Sequence, residues 1–175
     1  LKLGAAVKTI GDYAFWKTKL AGLDLSQAAS LVSIGDRAFY KTDITGTLVI
    51  PAKVETIGDY AFSNSKLTGL DLSDAASLVL IGDNAFGYTE ITGTLMIPAK
   101  VETIGGDAFY QTELTGLDLS NAASLVSIGG AAFSGTGITG TIVTPFNVPT
   151  YTTGELTLTL TREASFPSGV TIVKG

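Results

Sequence analysis

The sequence predicts a repeat solenoid of about six coils with a parallel β-sheet along one side. Segments 44–90 and 91–137 align without a gap and are identical at 33 of their 47 positions. An Ile-Gly pair recurs at spacings of 24, 23, 24, 23 and 24, which is the length of one coil, and a phenylalanine lies five positions after each isoleucine. Self-similarity at this period is typical of solenoids, in which each unit buries its apolar face against its neighbours. The isoleucines that number coils 1 to 6 are Ile10, Ile34, Ile57, Ile81, Ile104 and Ile128.

Each coil contains a predicted short strand of the form apolar-x-apolar. Alternate side chains of an extended chain point to opposite faces, so the outer two residues of each triplet face inward and the middle one faces outward. One such strand per coil, stacked coil on coil, predicts a parallel sheet along the solenoid. The triplets are residues 1–3, 23–25, 48–50, 70–72, 95–97, 117–119 and, more weakly, 142–144.

The remainder of each coil is predicted to form a short helical or irregular turn on the side opposite the sheet. The glycine of each Ile-Gly pair suits a backbone position with positive φ. An aspartate follows this glycine in four coils, where we expect it to cap a single helical turn. The phenylalanine is expected to point into the coil as its largest buried group.

The repeat register is lost after Thr144. Two prolines, at positions 145 and 149, interrupt regular structure there. Residues 156–160 alternate leucine and threonine, as a half-buried strand does. A Pro-Ser-Gly turn then precedes an apolar stretch at residues 170–173. We therefore divide the chain into a solenoid at 1–144 and a segment at 145–175, which is either a capping β-hairpin or the start of a following segment.

The pattern apolar-x-apolar followed by Ile-Gly-x-x-Ala-Phe resembles the BspA-type leucine-rich repeat over residues 1–144. Threonine or serine stands in every coil where that family has cysteine. The resemblance implies a right-handed leucine-rich-repeat coil, an extracellular or cell-surface location, and a role in adhesion or protein binding. It implies no catalytic residues.

Composition excludes several kinds of chemistry. The chain has no histidine and no cysteine, so imidazole bases, thiolate nucleophiles and disulfides are absent. Its net charge is −5 and it has no basic run, which argues against nucleic acid as a partner. No apolar run approaches the roughly 20 residues that span a bilayer. We expect neither an enzyme nor a bound cofactor or metal.

One set of candidate binding residues lies in the middle of alternate predicted strands: Asp24, Asp71 and Asp118. At about 4.8 Å per coil, successive members are about 9.6 Å apart. Calcium ligands lie within about 2.6 Å of the ion, so two of these carboxylates are too far apart to share one. The aspartates are either a row of solvated charges or direct ligand contacts.

A second candidate set follows the phenylalanines, where the repeats differ most while the core positions stay the same. Four coils carry an aromatic residue here: Trp16, Tyr40, Tyr88 and Tyr110. Exposed aromatic side chains are enriched in interface hot spots. The alternative is that each ring covers the edge of its own coil.

These observations predict a noncatalytic binding or adhesion module that contacts protein or glycan through an extended solenoid face. The alternative is a structural subunit of an extracellular filament or sheath, in which copies of the chain assemble by coil-to-coil or lateral packing. Low charge content and a first coil without a visible cap favour such packing.

Overall fold

The computed structural model describes residues 1–144 and 170–174, which form a parallel β-solenoid. The strands are β1 (Thr9–Ile10), β2 (Ser33–Ile34), β3 (Thr45–Val49), β4 (Thr56–Ile57), β5 (Lys66–Asp71), β6 (Leu80–Ile81), β7 (Thr92–Met96), β8 (Thr103–Ile104), β9 (Glu113–Asp118), β10 (Ser127–Ile128), β11 (Gly140–Thr144) and β12 (Val170–Lys174). One strand from each of the six coils joins a parallel sheet in the order β1-β2-β4-β6-β8-β10. The predicted solenoid with a parallel sheet is confirmed.

The continuous sheet lies at the Ile-Gly pairs and not at the apolar-x-apolar triplets, so the predicted position of the sheet was wrong. Each of its strands ends on the isoleucine of a pair, and Ile57 is the partner of Ile34 on one side and Ile81 on the other. Among the described residues, the triplets lie in the two-stranded parallel sheets β3–β5 and β7–β9, in β11, which pairs with β12, and in a single bridge between Lys2 and Asp24.

The spacing of the triplets explains this interruption. Short and long steps alternate from one triplet to the next, as from 48 to 70 and then from 70 to 95, whereas the Ile-Gly pairs are almost evenly spaced. Across a short step the strands pair, as Leu48 does with Leu70, and a bulge between Gly46 and Thr47 adjusts the register. Across a long step the additional residues take the next triplet out of register, and β5 and β7 belong to different sheets. The triplet side of the solenoid is therefore built from pairs of coils.

A column of stacked phenylalanine rings fills the interior. Successive ring centroids are 5.0 to 5.4 Å apart, and the ring planes lie within 10° of parallel. The rings are fully buried except in coil 1, where Phe15 is half-buried. The predicted role of these residues as the largest buried groups is confirmed. They are Phe15, Phe39, Phe62, Phe86, Phe109 and Phe133.

Close packing, not positive φ, requires the glycine of the Ile-Gly pair in coils 2 to 6, whereas Gly11 of coil 1 has open space around it. None of these six glycines is among the residues with positive φ, so that expectation was wrong. A Cβ atom added to Gly82 would lie 2.6 Å from Asp59 Oδ1 and 2.7 Å from the Asp59 backbone nitrogen. Because real Cβ atoms do not approach other atoms so closely, any side chain here would force neighbouring coils apart.

The aspartate that follows the Ile-Gly pair in coils 1 to 4 caps the next coil and not a helical turn. Asp36 Oδ1 accepts a hydrogen bond from the N–H of Asp59 at 2.9 Å, and Asp59 Oδ1 accepts one from the N–H of Asp83 at 2.8 Å. The same bond joins Asp12 to Asp36 at 2.9 Å, and Asp83 to Gly106 at 2.7 Å. Of the two predicted alternatives, a helical or an irregular turn, the irregular turn is the one that forms, because residues 1–144 and 170–174 contain no helix.

The C-terminal strand continues the pattern of paired triplets. Strand β12 runs parallel to β11, with Ile142 opposite Ile172, in the way that β5 pairs with β3. The other arm of the predicted hairpin, at residues 156–160, lies outside the described residues. The hairpin and the boundary between residues 144 and 145 therefore stay predictions.

Replacing Phe62 by alanine is expected to lower the free energy of unfolding by about 3–5 kcal/mol, because the cavity is closed on both sides by neighbouring rings. Chemical denaturation measures the change. The matched control is Phe15→Ala, whose ring is half-buried and stacks on Phe39 alone among the described rings. The control should be the less destabilised of the two. A loss below about 1 kcal/mol at Phe62 would contradict the stacked core.

Candidate functional site

The turn segments, six residues from the position after each Ile-Gly pair, form a second hydrogen-bonded ladder along the solenoid. They are residues 12–17, 36–41, 59–64, 83–88, 106–111 and 130–135. At every step three backbone N–H groups of one segment donate to three carbonyls of the next. Phe15 N–H, for example, donates to Ala38 O at 2.7 Å, and Lys17 N–H donates to Tyr40 O at 2.8 Å. The surface of these segments, which we call the turn face, is therefore held on a rigid backbone.

Two positions of every turn segment, the second and the sixth, have a left-handed backbone with φ between +52° and +73°. This conformation costs most L-residues about 1–2 kcal/mol, and only glycine, and to a lesser degree asparagine and aspartate, adopt it readily. The residues at these positions are Tyr13, Lys17, Arg37, Lys41, Tyr60, Asn64, Asn84, Tyr88, Asp107, Gln111, Ala131 and Gly135.

All four candidate aromatic residues lie on the turn face, but they form two groups and not one strip. Trp16 and Tyr88 are 43% and 52% exposed, whereas Tyr40 and Tyr110 are half-buried. The rings of Tyr88 and Tyr110 meet edge to face, with centroids 5.3 Å apart. The small residues at 63, 64, 84 and 87 separate this pair from the rings of coils 1 and 2.

Three further residues connect the first group, and sequence reasoning did not select them. The Tyr13 ring meets that of Trp16 edge to face, with centroids 6.4 Å apart. The Arg37 guanidinium lies between two rings, 5.7 Å from the Tyr13 centroid and 4.6 Å from that of Tyr60. Its Nη1 donates a hydrogen bond to the Tyr13 hydroxyl at 3.2 Å. The Tyr60 ring in turn meets that of Tyr40 at 6.4 Å.

Two lysines complete this arrangement. Lys17 Nζ lies 4.1 Å from the Trp16 ring centroid, and Lys41 Nζ lies 5.4 Å from the centroid of Tyr40. Cations so placed are attracted by the negative faces of the rings. We call the whole set the aromatic–cation network. Its members are Tyr13, Trp16, Lys17, Arg37, Tyr40, Lys41 and Tyr60.

The strand aspartates each close a turn of their own chain. The Oδ1 atoms of Asp24, Asp71 and Asp118 accept hydrogen bonds from the N–H of the serine two residues later, at 2.8 to 2.9 Å. The hydroxyl and N–H of Ser26, aided by Lys2, lower the pKa of Asp24 to about 2. Such turns give these aspartates a structural role in the absence of any ligand.

The surface formed by the outward-facing residues of the triplets, which we call the strand face, shows no arrangement suited to a metal ion among the described residues. Within residues 1–144 and 170–174, no group of three or more histidine, cysteine, aspartate or glutamate side chains could hold one. Val49 and Met96, which lie between the strand aspartates in the coil order, are 43% and 48% exposed. The strand face thus offers apolar side chains and turn-closing carboxylates, whereas the turn face offers clustered rings and cations.

Comparison with known proteins identifies the repeat. A family model described as the BspA type leucine rich repeat region matches in six copies, over residues 8–139 and 79–174. No curated protein and no solved structure matches the chain. In the described part of the chain, no helix is long and apolar enough to cross a membrane.

Replacing Ala131, whose φ is +56°, by glycine is expected to raise the free energy of unfolding by about 0.5–1 kcal/mol. The relief of the left-handed conformation outweighs the additional entropy that glycine loses on folding. Urea denaturation measures the gain. The neighbouring Ala132, buried and without positive φ, is the control, and Ala132→Gly should destabilise the protein. An equal loss of unfolding free energy in the two variants would contradict the cost assigned to the left-handed conformation of Ala131.

The lowered pKa of Asp24 predicts a pH dependence of stability. Its ionised form is favoured in the folded state, so its contribution is full above the ordinary pKa of 3.8 and is lost as the pH falls through about 2. The stability difference between the wild type and Asp24→Asn should therefore shrink across this window in urea titrations. An NMR titration in which the Asp24 carboxyl titrates at 3.8 would contradict the prediction.

Proposed function

Because the chain belongs to the BspA-type leucine-rich repeat family, we propose that it is a noncatalytic binding or adhesion module, extracellular or at the cell surface. It contacts protein or glycan through the extended turn face. The observation that carries this proposal is the clustering of exposed and half-buried aromatic rings on this one face of the solenoid.

Rings in this setting are suited to binding. Their backbone is fixed by the ladder between turn segments, so little conformational entropy remains to be lost when a partner docks. Tyrosine and tryptophan bring large contact areas with few rotatable bonds, and they dominate the energetics of many interfaces. The core beneath the turn face is filled by the phenylalanine column. The tyrosine and tryptophan side chains on the surface can therefore be substituted without altering this core.

The chemistry of the chain supports the noncatalytic part of the proposal. It has neither histidine nor cysteine. The pKa of Asp71 is lowered by the hydroxyl and N–H of Ser73, and that of Asp24 by Ser26, so these carboxylates are charged and do not serve as proton donors near neutral pH.

A structural filament or sheath subunit is the second candidate, favoured by exposed apolar side chains outside the turn segments. Val126 is 70% exposed and Leu80 is 36% exposed, in addition to Val49 and Met96. Apolar surface of this kind promotes association. Light scattering over a range of concentrations separates the candidates, since a filament subunit grows without limit and a binding module stays monodisperse.

Changing Trp16, Tyr40, Tyr88 and Tyr110 together to serine is expected to weaken ligand binding by well over tenfold, at about 1–2 kcal/mol for an aromatic hot spot. Binding is measured on glycan arrays and on immobilised extracellular-matrix proteins. The melting temperature should change little, because none of the four rings belongs to the phenylalanine column.

The matched control is the double variant Val49→Ser and Met96→Ser, which changes the strand face alone. It should retain binding. If the control loses binding and the quadruple variant keeps it, the strand face is the contact surface. If the quadruple variant unfolds, the rings are coil-edge packing and the functional assignment of the turn face is wrong.

A further inference from the structure

We propose that the aromatic–cation network of coils 1–3 is a site for an acidic polysaccharide, one that carries carboxylate or sulfate groups on its sugar rings. The inference rests on the proposed function, because it assigns a ligand class to one part of the turn face. It depends on three observations: the alternation of rings and cations, the lack of carboxylate partners for those cations among the described residues, and the kinds of residue at the left-handed positions.

Single cations alternate with pairs of rings across three coils in one connected surface. The order of contacts runs from Lys17 to Trp16, Tyr13, Arg37, Tyr60, Tyr40 and Lys41. At about 4.8 Å per coil the network spans about 10 Å along the axis, which is comparable with the length of a disaccharide. Each ring has a cation over one face. The exposed surface that remains on Tyr13 and Trp16, which are 51% and 43% exposed, can contact the C–H groups of a sugar while the cations meet its acidic groups.

Within residues 1–144 and 170–174, the three cations of the network have no carboxylate at salt-bridge distance. The ion pairs found there are Lys2–Asp24, Lys19–Asp43 and Lys66–Asp43, at 3.3, 3.6 and 2.8 Å. Arg37 uses one N–H on the Tyr13 hydroxyl, so a guanidinium with five donors has others to offer. A carboxylate or sulfate is the partner whose geometry best matches such a fork.

The left-handed positions of coils 1–3 hold residues that this backbone does not favour. Five of the six are tyrosine, lysine or arginine, and Asn64 alone is of the type that adopts this conformation readily. In coils 4–6, by contrast, Asn84, Asp107 and Gly135 fill three of the six. Side chains that oppose the backbone preference at five neighbouring positions indicate that the surface they form has a use other than folding.

The charges near the network favour a sparsely charged chain over a densely charged one. Asp12, Asp36 and Asp59 lie in the same turn segments, and their Oδ1 atoms cap the N–H groups of the following coils. Their negative charge lowers the local potential, which disfavours nucleic acid, whose binding depends on many phosphate contacts. A polysaccharide with separated acidic groups can meet each cation while its neutral rings cover the exposed aromatic surface.

The other ring pair of the turn face has the opposite electrostatic surroundings. Glu90, Asp107 and Glu113 belong to the same coils as Tyr88 and Tyr110, and these two turn segments contain no lysine or arginine. An acidic polymer is repelled there. Binding should therefore depend on coils 1–3 and not on coils 4 and 5.

Four polymers test the proposal by calorimetry at low salt: hyaluronate and κ-carrageenan, which carry one carboxylate or one sulfate per disaccharide, and uncharged dextran and poly-glutamate. We expect hyaluronate or κ-carrageenan to bind at least about tenfold more tightly than dextran and poly-glutamate, and added salt to weaken the binding. The two acidic polysaccharides show whether carboxylate or sulfate is preferred. Equal affinity for dextran, or for poly-glutamate, overturns the proposal.

The discriminating variant replaces Lys17, Arg37 and Lys41 by asparagine, which suits the left-handed backbone. Affinity for the acidic polysaccharide should fall by about tenfold or more, while the melting temperature does not decrease. The matched control, Gln111→Asn with Ala131→Asn, makes the same type of change at left-handed positions in coils 5 and 6, outside the network, and should leave affinity unchanged. Unaltered affinity of the triple variant, or loss of affinity in the control, places the binding elsewhere and overturns the proposal.

The outcome is separable from that of the proposed function. If neither acidic polysaccharide binds, but a protein or neutral glycan binds and is lost in the aromatic-to-serine variant, the turn face remains a binding surface and the acidic-ligand assignment is wrong. If the acidic polysaccharide binds and the triple variant loses it, both proposals are supported.

Discussion

Backbone hydrogen bonds between neighbouring coils are the constraint on which this structure depends. They join all six coils at two places, through the short strands at the Ile-Gly pairs and through the turn segments, and they join coils in pairs at the triplets. Both sets need the coils to meet backbone to backbone. Gly82 therefore has no room for a side chain, and Asp59 can reach the N–H of Asp83. The stacked phenylalanines fill the interior that this spacing leaves.

The coil architecture was predictable because Ile-Gly and phenylalanine recur at nearly constant spacing. The position of the continuous sheet was not, because a two-residue strand such as Thr56–Ile57 has no alternation to detect. The triplets alternate clearly, yet their unequal spacing limits them to pairs. The role of Asp36 also depends on which N–H of the next coil comes within reach, and this information is absent from a single repeat.

The candidate site was partly predictable for the same reason. Sequence variation between the repeats at the positions after the phenylalanines selected Trp16 and Tyr40. The repeats also vary at the two positions after each Ile-Gly pair, and this variation could have selected Tyr60. The contact of Arg37 with Tyr13 and Tyr60 depends on left-handed turns in register, which sequence reasoning did not foresee. The strand aspartates precede a serine by two residues, and this local signal of a side-chain-closed turn was present but was not used.

The pairing of coils determines how the length of the protein can change. Removing residues 44–90 in one piece would place Ile91 after Asp43, where Ile44 now stands, and every remaining strand would keep a partner of the kind it has now. Removing a single coil would bring two like half-repeats together and leave a triplet without its partner. The indivisible unit of growth or loss is therefore the double coil, and a solenoid of this type can be lengthened only in such steps.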